Sequence, residues 1–529
     1  MANIMADNSA KRGGFGGKFA AILAAAGSAI GLGNIWRFPY ITSENGGGAF
    51  IIIYLGCILL LGLPLLIAEF SVGHNAKSNP IDAFKKIRKG WGWLGAAGLI
   101  SVTLIMGYYF VISGWTINYA IASATDSIGS NYEGFFEAFT TAPYAPLIYT
   151  YLFILANHFI ITGGVQGGIE KASKIMMPLL FAILVVLAVY SLWMPDGREA
   201  IGNVFTPDFS KVSGKTFLDA MGQAFFTLSV GMGAMLIYGS YFKKGTKIAG
   251  TAISVVSLDT LVALIAAIIV FSAGVEGAAG PALAFVAMPS VFASMPWGNV
   301  WATLFFLLLA LAALSSTISM HEAVTSYFVE KRGMSRKRGA WIVTILAMVL
   351  ATFASLSLGV LDGVKVLNLN FFDLLDKFTS IVMLPLLGIL TAVFVGWLWK
   401  KEDMRAELTA EGGIDRKSYP IVRFLLRWVC PVLVSVVFVF GIYDFVDKQL
   451  HPEQAERSAT TEQVQETDTD TDTDTKLIVN SQSNVLRVGK ERLKASDLNE
   501  VHANKPNFKQ AELEFTPISV KQQNNNNNN

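Results

Sequence analysis

Charged side chains are scarce in this chain. Of its 529 residues only 15% are Asp, Glu, Lys or Arg, whereas 53% are hydrophobic, and the mean hydropathy is +0.49. This composition excludes an ordinary soluble protein, because a water-facing surface carries more charge. The formal net charge of +2 gives no reason to expect a nucleic-acid partner.

Cysteine and histidine are also scarce. Cys57 and Cys430 both fall inside long apolar runs, where we expect no structural disulfide. The five histidines show no zinc-binding spacing of the HExxH or CxxC type. A phosphate-binding loop around Lys215 is excluded because Phe209 occupies its required first glycine. We therefore expect that the protein is not an enzyme.

Long apolar runs dominate the chain. A helix needs about 20 apolar residues to cross a hydrocarbon core about 30 Å thick. Eleven runs meet this requirement, which predicts an all-α polytopic membrane protein. They lie near residues 18–40, 48–73, 94–124, 145–162, 171–193, 217–241, 247–276, 298–330, 340–356, 373–398 and 420–445.

Positive charges predict the orientation of these runs. Lys and Arg cluster before the first run and after the second, sixth, eighth and tenth, whereas loops 125–144 and 277–297 contain neither. Because short cytoplasmic loops are rich in Lys and Arg, we expect a cytoplasmic N-terminus in the cell inner (plasma) membrane. The first apolar run begins only after Lys18 and is a full span, so no cleavable signal peptide is predicted. Eleven spans would place the C-terminal tail outside the cytoplasm.

Two of the runs are interrupted by glycines. The first contains GSAIGLGNIWRFPY at 27–40, and the sixth contains QAFFTLSVGMG at 223–233. Backbone groups freed by a break are tolerated in a membrane only inside protein or beside water, and such breaks mark substrate and ion sites in transporters. Since the breaks lie five runs apart and five is odd, they predict two five-helix units of opposite orientation. The pattern favours a secondary transporter over an ion channel, which would show a repeated pore motif.

These features predict five regions. The last has the repeat TDTDTDTDT and six terminal asparagines, which are typical of disorder. The regions are a cytoplasmic segment (1–17), the first repeat (18–193), the inverted second repeat (194–398), a cytoplasmic loop with the eleventh helix (399–445) and a disordered tail outside the cytoplasm (446–529).

Residues 27–40, ENGGGAF at 44–50 and the second interrupted run closely resemble the neurotransmitter:sodium symporter family. The resemblance extends over about residues 11–445 and includes GIEKASKIMMPLL at 168–180 and LSSTIS at 314–319. It implies the fold of the bacterial leucine transporter, a 5+5 inverted repeat with one additional helix. It also implies sodium-coupled import by alternating access, and the bacterial eleven-span branch carries mostly amino acids.

The resemblance implies that an α-amino acid binds between the two breaks. Gly31 stands where amine carriers of the family have Asp, which leaves space for a substrate carboxylate, and Tyr109 matches the tyrosine that binds it. Met232 and Met320 favour a large apolar or aromatic substrate, although methionine on a helix also serves ordinary packing. The other implied substrate contacts are Ala29, Leu32, Gly33, Ile105, Phe226, Thr227, Ser229 and Ser316.

A first sodium site is implied at the Ala29 carbonyl, Asn34 and Thr227, completed by the substrate carboxylate. Its remaining position, usually Asn in the family, is Asp259 here. A charged side chain at mid-bilayer costs on the order of 2.5–3.5 kcal/mol, so sodium is its natural partner; a buried Asp hydrogen-bonded between helices is the alternative. Ala263 stands at the position linked to chloride dependence. We expect no chloride requirement, with Asp259 supplying the balancing charge.

A second sodium site is implied at the backbone oxygens of Gly27, Ile30 and Ala312 and the hydroxyls of Ser315 and Ser316. Two adjacent serines suit coordination, although small hydroxyl residues also allow helices to pack closely. The family thus implies two sodium sites.

Further positions match the gates of the family. Arg37 and Asp376 are expected to close the outer side, with Asp373 as a rival one turn away. The remaining matches are Arg12 and Phe15 at the cytoplasmic gate, Gln223 beside the outer gate and Glu69 bracing the sixth helix. A plain positive-inside role would equally explain Arg12.

Two alternatives stay open. An amino-acid sensor that retains the transporter site would bind without accumulating its ligand. His321 and Glu322, adjacent in the eighth run, suit a proton relay or, more simply, a hydrogen bond between helices. The expected partners are an amino acid, sodium ions and the lipid bilayer, with the chain a monomer or weak oligomer.

Overall fold

The computed structural model describes most of the chain. Arg12 and nearly all of the predicted disordered tail lie outside the described residues. These are 13–193, 197–273, 280–411, 413–451 and the short strand segments 478–479, 485–488 and 491–494.

Membrane helices are labelled α1 to α11 in chain order. Within the described ranges, nine helices are long and apolar enough to span a membrane without interruption. They are α2 (Gly48–Ala76), α3 (Gly92–Ala124), α4 (Ala145–Thr162), α5 (Val165–Leu192), α7 (Ile248–Ser272), α8 (Gly298–Glu330), α9 (Arg336–Leu356), α10 (Phe371–Leu398) and α11 (Tyr419–Asp447).

The first and sixth apolar runs form helices broken in the middle. Helix α1 consists of Lys18–Ala29 and Gly33–Glu44, bent by 59°. Its first half ends because Ile30 adopts an extended conformation, with its amide still donating to the Ala26 carbonyl. With the nine continuous helices, α1 and α6 occupy the eleven apolar runs of the sequence.

Helix α6 consists of Gly214–Thr227 and Ala234–Ser240. Between the halves the chain adopts positive φ at Ser229 (52°), Gly231 (89°) and Gly233 (79°). Glycine tolerates this conformation without a steric penalty, so the SVGMG sequence is suited to a break. The helix ends thus created expose unpaired backbone amides and carbonyls.

Burial differs strongly among the helices. In the most apolar windows of α3 and α8, 72% and 67% of residues are buried, whereas in α11 only 17% are. Helices α3 and α8 therefore form the interior against which the two breaks lie. Helix α11 runs along the periphery, with most of its surface facing outward.

Short helices occupy the connections. The loops 125–144 and 277–297 each contain one short helix. Aromatic and apolar side chains in these loops pack on the bundle. Phe136, for example, contacts Trp115 with ring centroids 5.5 Å apart. The short helices are Pro80–Ile87, Tyr132–Thr140, Gly197–Phe205, Gly280–Ala293 and Lys401–Ala406, with a single 3₁₀ turn at Phe209–Lys211.

Some helix boundaries differ from the apolar runs. Helix α5 begins at Val165 and α9 at Arg336, ahead of the predicted starts at 171 and 340. The additional residues include charged side chains such as Glu170 and Arg336. Hydropathy marks where a helix enters lipid, whereas backbone hydrogen bonding continues beyond that point.

Residues 456–529 form a separate unit. Its described residues are three short antiparallel strands, β1 (Ile478–Val479), β2 (Val485–Val488) and β3 (Glu491–Lys494), in the order β1-β2-β3. Val485 pairs with Lys494 and Val479 with Leu486. These strands lie within residues 446–529, for which the sequence predicts disorder.

Candidate functional site

A cavity lies between the breaks of α1 and α6 and the middle of α3 and α8. Every substrate contact implied by the sequence except Leu32 lines it, and Asn34 is added to them. The lining residues are Ala29, Gly31, Gly33, Asn34, Ile105, Tyr109, Phe226, Thr227, Ser229, Met232, Ser316 and Met320.

Polar groups converge at one end of this cavity. The amide of Leu32 donates to the hydroxyl of Tyr109 at 3.3 Å, which gives Leu32 a role through its backbone. A Cβ atom at Gly31 would lie 3.0 Å from both the Tyr109 and the Ser316 hydroxyl oxygens. A side chain at position 31 would therefore be crowded by these two hydroxyl groups. Amides at the start of a half-helix favour negative charge, so this end suits a carboxylate.

The other end of the cavity is apolar. Ile105, Met232 and Met320 are buried, while Phe226 is partly exposed and lies towards Arg37. Two flexible thioether side chains can adapt to ligands of different shape.

Three oxygen-bearing side chains from separate helices meet beside the polar end. The Asn34 amide nitrogen donates to Thr227 Oγ1 at 3.0 Å and to Asp259 Oδ1 at 2.8 Å. Thr227 Oγ1 also donates to Asp259 Oδ2 at 3.0 Å, and Asp259 is completely buried. The structure thus brings together the side chains that the family resemblance assigns to a first sodium site, with Ala29 lining the same cavity.

A second group of oxygens surrounds Ser316, where α8 meets the break of α1. Its hydroxyl donates to the carbonyls of Ile30 at 3.2 Å and Ala312 at 3.3 Å. Ser315 Oγ donates to the same Ala312 carbonyl at 2.9 Å. Gly27 packs closely on Ser315, since a Cβ at Gly27 would lie 3.2 Å from the serine Cβ. All five residues implied for a second sodium site therefore lie close together.

Arg37 lies next to Phe226, one of the residues that line the cavity. Its guanidinium carbon is 5.2 Å from the centroid of the Phe226 ring. Asp376 is close enough to act on Arg37 electrostatically, but the structure, over its described residues, has no ion pair within 4 Å between them. Asp373 instead interacts with Asn370, whose amide nitrogen donates to Asp373 Oδ2 at 2.9 Å. Of the two acidic candidates, Asp376 is the one that faces Arg37.

Asp219 also faces Arg37 and was missed by sequence reasoning. It lies on the first half of α6, one turn before Gln223 and two turns before Phe226, so all three share one helix face. That spacing is the signal that could have identified it. Asn45 donates to the Asp219 carboxylate at 3.3 Å.

Gln223 and Glu69 contact the two breaks directly. The Gln223 amide nitrogen donates to the Gly33 carbonyl at 3.4 Å, and its side-chain oxygen is buried without a hydrogen-bond partner among the described atoms. Glu69 is buried on α2 and accepts from the amides of Gly231 at 2.5 Å and Leu236 at 3.3 Å. Glu69 thus satisfies backbone donors released by the break in α6.

The segment before α1 is held against the end of α6. The Phe15 amide donates to the Tyr241 carbonyl at 3.1 Å, and the Phe15 ring is buried against Tyr238, with centroids 5.7 Å apart. Glu170 at the start of α5 accepts from the Gly16 amide at 2.6 Å, a contact that the sequence did not predict. The position of Arg12, the other residue implied for this gate, is not among those described.

His321 and Glu322 both have protein partners. His321 lies within hydrogen-bonding distance of Thr325 and Thr344, each at 3.0 Å. Glu322 pairs with Arg336 at 2.5 Å and accepts from the Tyr241 hydroxyl at 2.5 Å. These contacts favour the interhelical hydrogen bonds over the proton relay.

The cavity lies between two broken helices, α1 and α6, in a bundle that has nine continuous apolar helices among its described residues, and this arrangement defines a polytopic secondary transporter. The profile of the sodium:neurotransmitter symporter family matches residues 12–132 and 145–456. The chain belongs to this family.

Individual proteins with similar sequences or structures support this family assignment. An uncharacterized sodium-dependent transporter of Bacillus subtilis is 34% identical over 443 residues, covering 81% of this chain and 98% of the relative. One of Haemophilus influenzae is 31% identical over 464 residues, covering 83% and 100%. The crystal structure of MhsT in complex with L-phenylalanine matches with a TM-score of 0.75 and 40% identity, covering 81% of this chain and all of that one.

These similarities confirm several sequence-based predictions. The resemblance to the symporter family is correct, as is the all-helical fold of the leucine-transporter type. The protein is a multi-pass membrane protein of a family that couples transport to sodium.

Proposed function

We propose that this protein imports an α-amino acid with a large apolar or aromatic side chain, together with sodium ions, by alternating access. The observation that carries the proposal is the two-ended cavity, with Tyr109 and the Leu32 amide at one end and two methionines at the other. MhsT, which is 40% identical, was solved with L-phenylalanine. That similarity supports the same substrate class here.

In this proposal the carboxylate of the substrate accepts hydrogen bonds from the Tyr109 hydroxyl and from the amides of Leu32 and Gly33. The absence of a side chain at Gly31 leaves room for it. The carboxylate also completes the coordination of the first sodium ion beside Asn34 and Thr227. Each ligand then improves the binding of the other by the same factor, which couples the two fluxes.

Asp259 is assigned the charge balance of the first sodium site. It is buried and lies against both Asn34 and Thr227, so it can neutralise the cation without an anion from solution. Ala263, one turn further along α7, offers neither charge nor hydroxyl to a chloride ion. We therefore propose transport that does not require chloride.

A second sodium ion is assigned to the oxygens of Gly27, Ile30, Ala312, Ser315 and Ser316. This site would join α1 to α8 and hold the first half of α1 in place. Each sodium ion that crosses a potential of 100 mV supplies about 2.3 kcal/mol for uptake.

Alternating access requires gates on both sides of the cavity. Phe15 is buried against α6, which is consistent with a closed gate on the N-terminal side. On the other side Arg37 lies against the Phe226 ring and interacts electrostatically with Asp376 and Asp219. We propose that substrate binding draws Arg37 and Asp376 into a direct ion pair. The proposed orientation, with the N-terminus in the cytoplasm, makes this the outer gate.

Uptake into proteoliposomes tests the proposal. With an inward sodium gradient, radiolabelled L-phenylalanine should accumulate, whereas glycine should enter far more slowly and a potassium gradient should drive neither. Binding of L-phenylalanine in sodium without accumulation would favour the sensor alternative. Equal uptake of glycine and L-tryptophan would contradict the assignment of the apolar end of the cavity.

A further inference from the structure

Two arginines at the start of α11 have no acidic partner within the described ranges of the chain. Arg423 and Arg427 lie one helical turn apart, so they share one face of the helix. In the part of the chain that the structure describes, neither forms an ion pair within 4 Å, and the Nε atom of each is buried without a hydrogen-bond partner. Like charges at this spacing repel, and a buried charged donor without an acceptor is costly. Among the described residues, no acidic side chain compensates these two charges.

Arg427 is nevertheless held firmly in position. Its guanidinium carbon lies 3.8 Å from the centroid of the Trp397 ring and 5.8 Å from that of Trp428. The Trp397 indole nitrogen donates to the Arg427 carbonyl at 2.8 Å. A Cβ at Gly396 would lie 2.8 Å from Arg427 Cα, so α10 and α11 are in close backbone contact here. A guanidinium stacked on an indole keeps its edges available for an oxyanion.

The surroundings indicate where such an anion would come from. Helix α11 is the least buried of the nine continuous helices described, and Trp397 and Trp428 are 43% and 50% exposed. Exposed tryptophans at the ends of membrane helices lie at the level of the lipid headgroups. The Lys- and Arg-rich loops lie at this same end of the bundle. Arg88, from the loop after α2, donates to the carbonyl of Leu398 at the end of α10 at 3.1 Å.

Glu402 is an acidic residue near this face. Glu402 acts on the Tyr419 phenol together with Arg423 and Arg405. Glu402 makes no ion pair with either arginine of α11 among the described residues, so it does not replace an external anion.

We propose that Arg423, Arg427, Trp397 and Trp428 form a binding site for the phosphate headgroup of an anionic phospholipid. The headgroup would lie against the edges of the two guanidinium groups, which bind phosphate oxygens in pairs. Basic pockets between membrane helices on the Lys-rich side suit anionic lipids. The site is independent of the substrate and sodium sites, so either proposal can fail alone.

Native mass spectrometry of the full chain in a neutral detergent tests the site. Phosphatidylglycerol and phosphatidylcholine are titrated against the wild type, Arg423→Gln/Arg427→Gln, and Lys337→Gln/Arg338→Gln at the start of α9. The control pair removes the same charge on the same side. We expect the wild type and the control to bind phosphatidylglycerol at least about tenfold more tightly than phosphatidylcholine, and the α11 variant to lose about that preference.

The same phosphatidylglycerol affinity in the wild type and the α11 variant would overturn the proposal, as would an equal loss in the control. If the double variant fails to fold, a second experiment replaces the titration. It compares the thermal unfolding of the wild type with that of the single variant Arg423→Gln, each with and without added lipid. Phosphatidylglycerol should then raise the unfolding temperature of the wild type more than phosphatidylcholine does. The difference between the two lipids should be smaller for Arg423→Gln. Equal shifts by the two lipids in the wild type would refute the site. Displacement of the lipid by inorganic phosphate would show that the arginines bind free anion and would likewise contradict a lipid site.

Discussion

The side-chain amide of Asn34 donates to the carboxylate of Asp259 across 2.8 Å, joining the break of α1 to the buried face of α7. Thr227 donates to the same carboxylate from α6. Two donors from broken helices thus replace part of the water that a carboxylate loses inside a membrane. We therefore expect the sodium affinity of the proposed first site to depend on Asp259.

The first prediction concerns Asp259→Asn. The change keeps the shape of the side chain but removes the negative charge, so the sodium concentration for half-maximal uptake should rise at least about tenfold, a change of about 1.4 kcal/mol. Sodium titrations of proteoliposome uptake measure it. Asp126→Asn, on an exposed residue after α3, should leave the titration unchanged. An unaltered sodium dependence of Asp259→Asn, or wild-type uptake that collapses when gluconate replaces chloride, would count against the assigned charge balance.

The second prediction concerns the Tyr109 hydroxyl. Tyr109→Phe should weaken substrate binding at least about tenfold, because a hydrogen bond to a charged group contributes about 1.5–3 kcal/mol. Scintillation proximity binding of L-phenylalanine in sodium buffer measures the loss. Tyr119→Phe is a matched control, since its hydroxyl is buried on the same helix without a hydrogen-bond partner in the described structure. The idea fails if the two variants bind equally well.

Much of the fold could be predicted from sequence because the bilayer imposes simple rules. An apolar run of about 20 residues must be helical in lipid, and a Gly-rich sequence such as SVGMG permits a break there. The helices inside the connections, such as Tyr132–Thr140, could not be predicted by the same rule. They depend on tertiary contacts, such as the Phe136–Trp115 pair, that hydropathy does not encode.

The candidate site, like the fold, could be predicted from the sequence only in part. The resemblance named Asn34, Thr227 and Asp259 together, and the structure places their side chains within hydrogen-bonding distance of one another. Asp219 was missed since the resemblance names one acidic partner for Arg37, and its electrostatic contact depends on how α6 is rotated against α1. The hydrogen bond from the Gly16 amide to the Glu170 carboxylate could not be predicted, because it joins residues far apart in sequence.

The third prediction concerns Glu69. Its carboxylate accepts from the amides of Gly231 and Leu236, which have lost their helical partners. Glu69→Gln leaves one oxygen acceptor for two donors, so the protein should lose about 1–3 kcal/mol of stability, the typical cost of an unsatisfied buried donor. A lower midpoint of thermal unfolding in detergent checks this. Glu402→Gln, on an exposed residue, should unfold at the wild-type temperature; a variant of Glu69 that does the same would show that the brace is dispensable.

The fourth prediction concerns pH and Glu407, which follows the helix Lys401–Ala406 outside the membrane spans. Its carboxylate contacts His74 Nδ1 and accepts from Asn75 at 2.9 Å. Burial alone would raise the pKa of Glu407, but the hydrogen bonds from His74 and Asn75 outweigh it and hold the pKa below its ordinary value of 4.5.

A folded-state pKa below the unfolded one means that the ionised carboxylate stabilises the fold above about pH 4.5, and that this contribution is lost as the pH falls through the lowered value. The wild type should therefore unfold at a higher temperature than Glu407→Gln at neutral pH, and the gap should close under more acidic conditions. Thermal unfolding across a pH series measures the gap. A gap that stays constant with pH would show that the ionised form of Glu407 contributes nothing.

The fifth prediction concerns the space at Gly31. A methyl group there would lie 3.0 Å from both the Tyr109 and the Ser316 hydroxyl oxygens, closer than ordinary van der Waals contact, and it would occupy the volume assigned to the substrate carboxylate. Gly31→Ala should therefore reduce L-phenylalanine binding by at least about tenfold, or 1.4 kcal/mol. Gly222→Ala on α6, where a Cβ would meet no atom within 4 Å, should bind as the wild type does. Because Ser316 also belongs to the second group of oxygens, the sodium dependence of binding should shift in the same variant. Unchanged affinity for both ligands in Gly31→Ala would mean that the carboxylate binds elsewhere in the cavity.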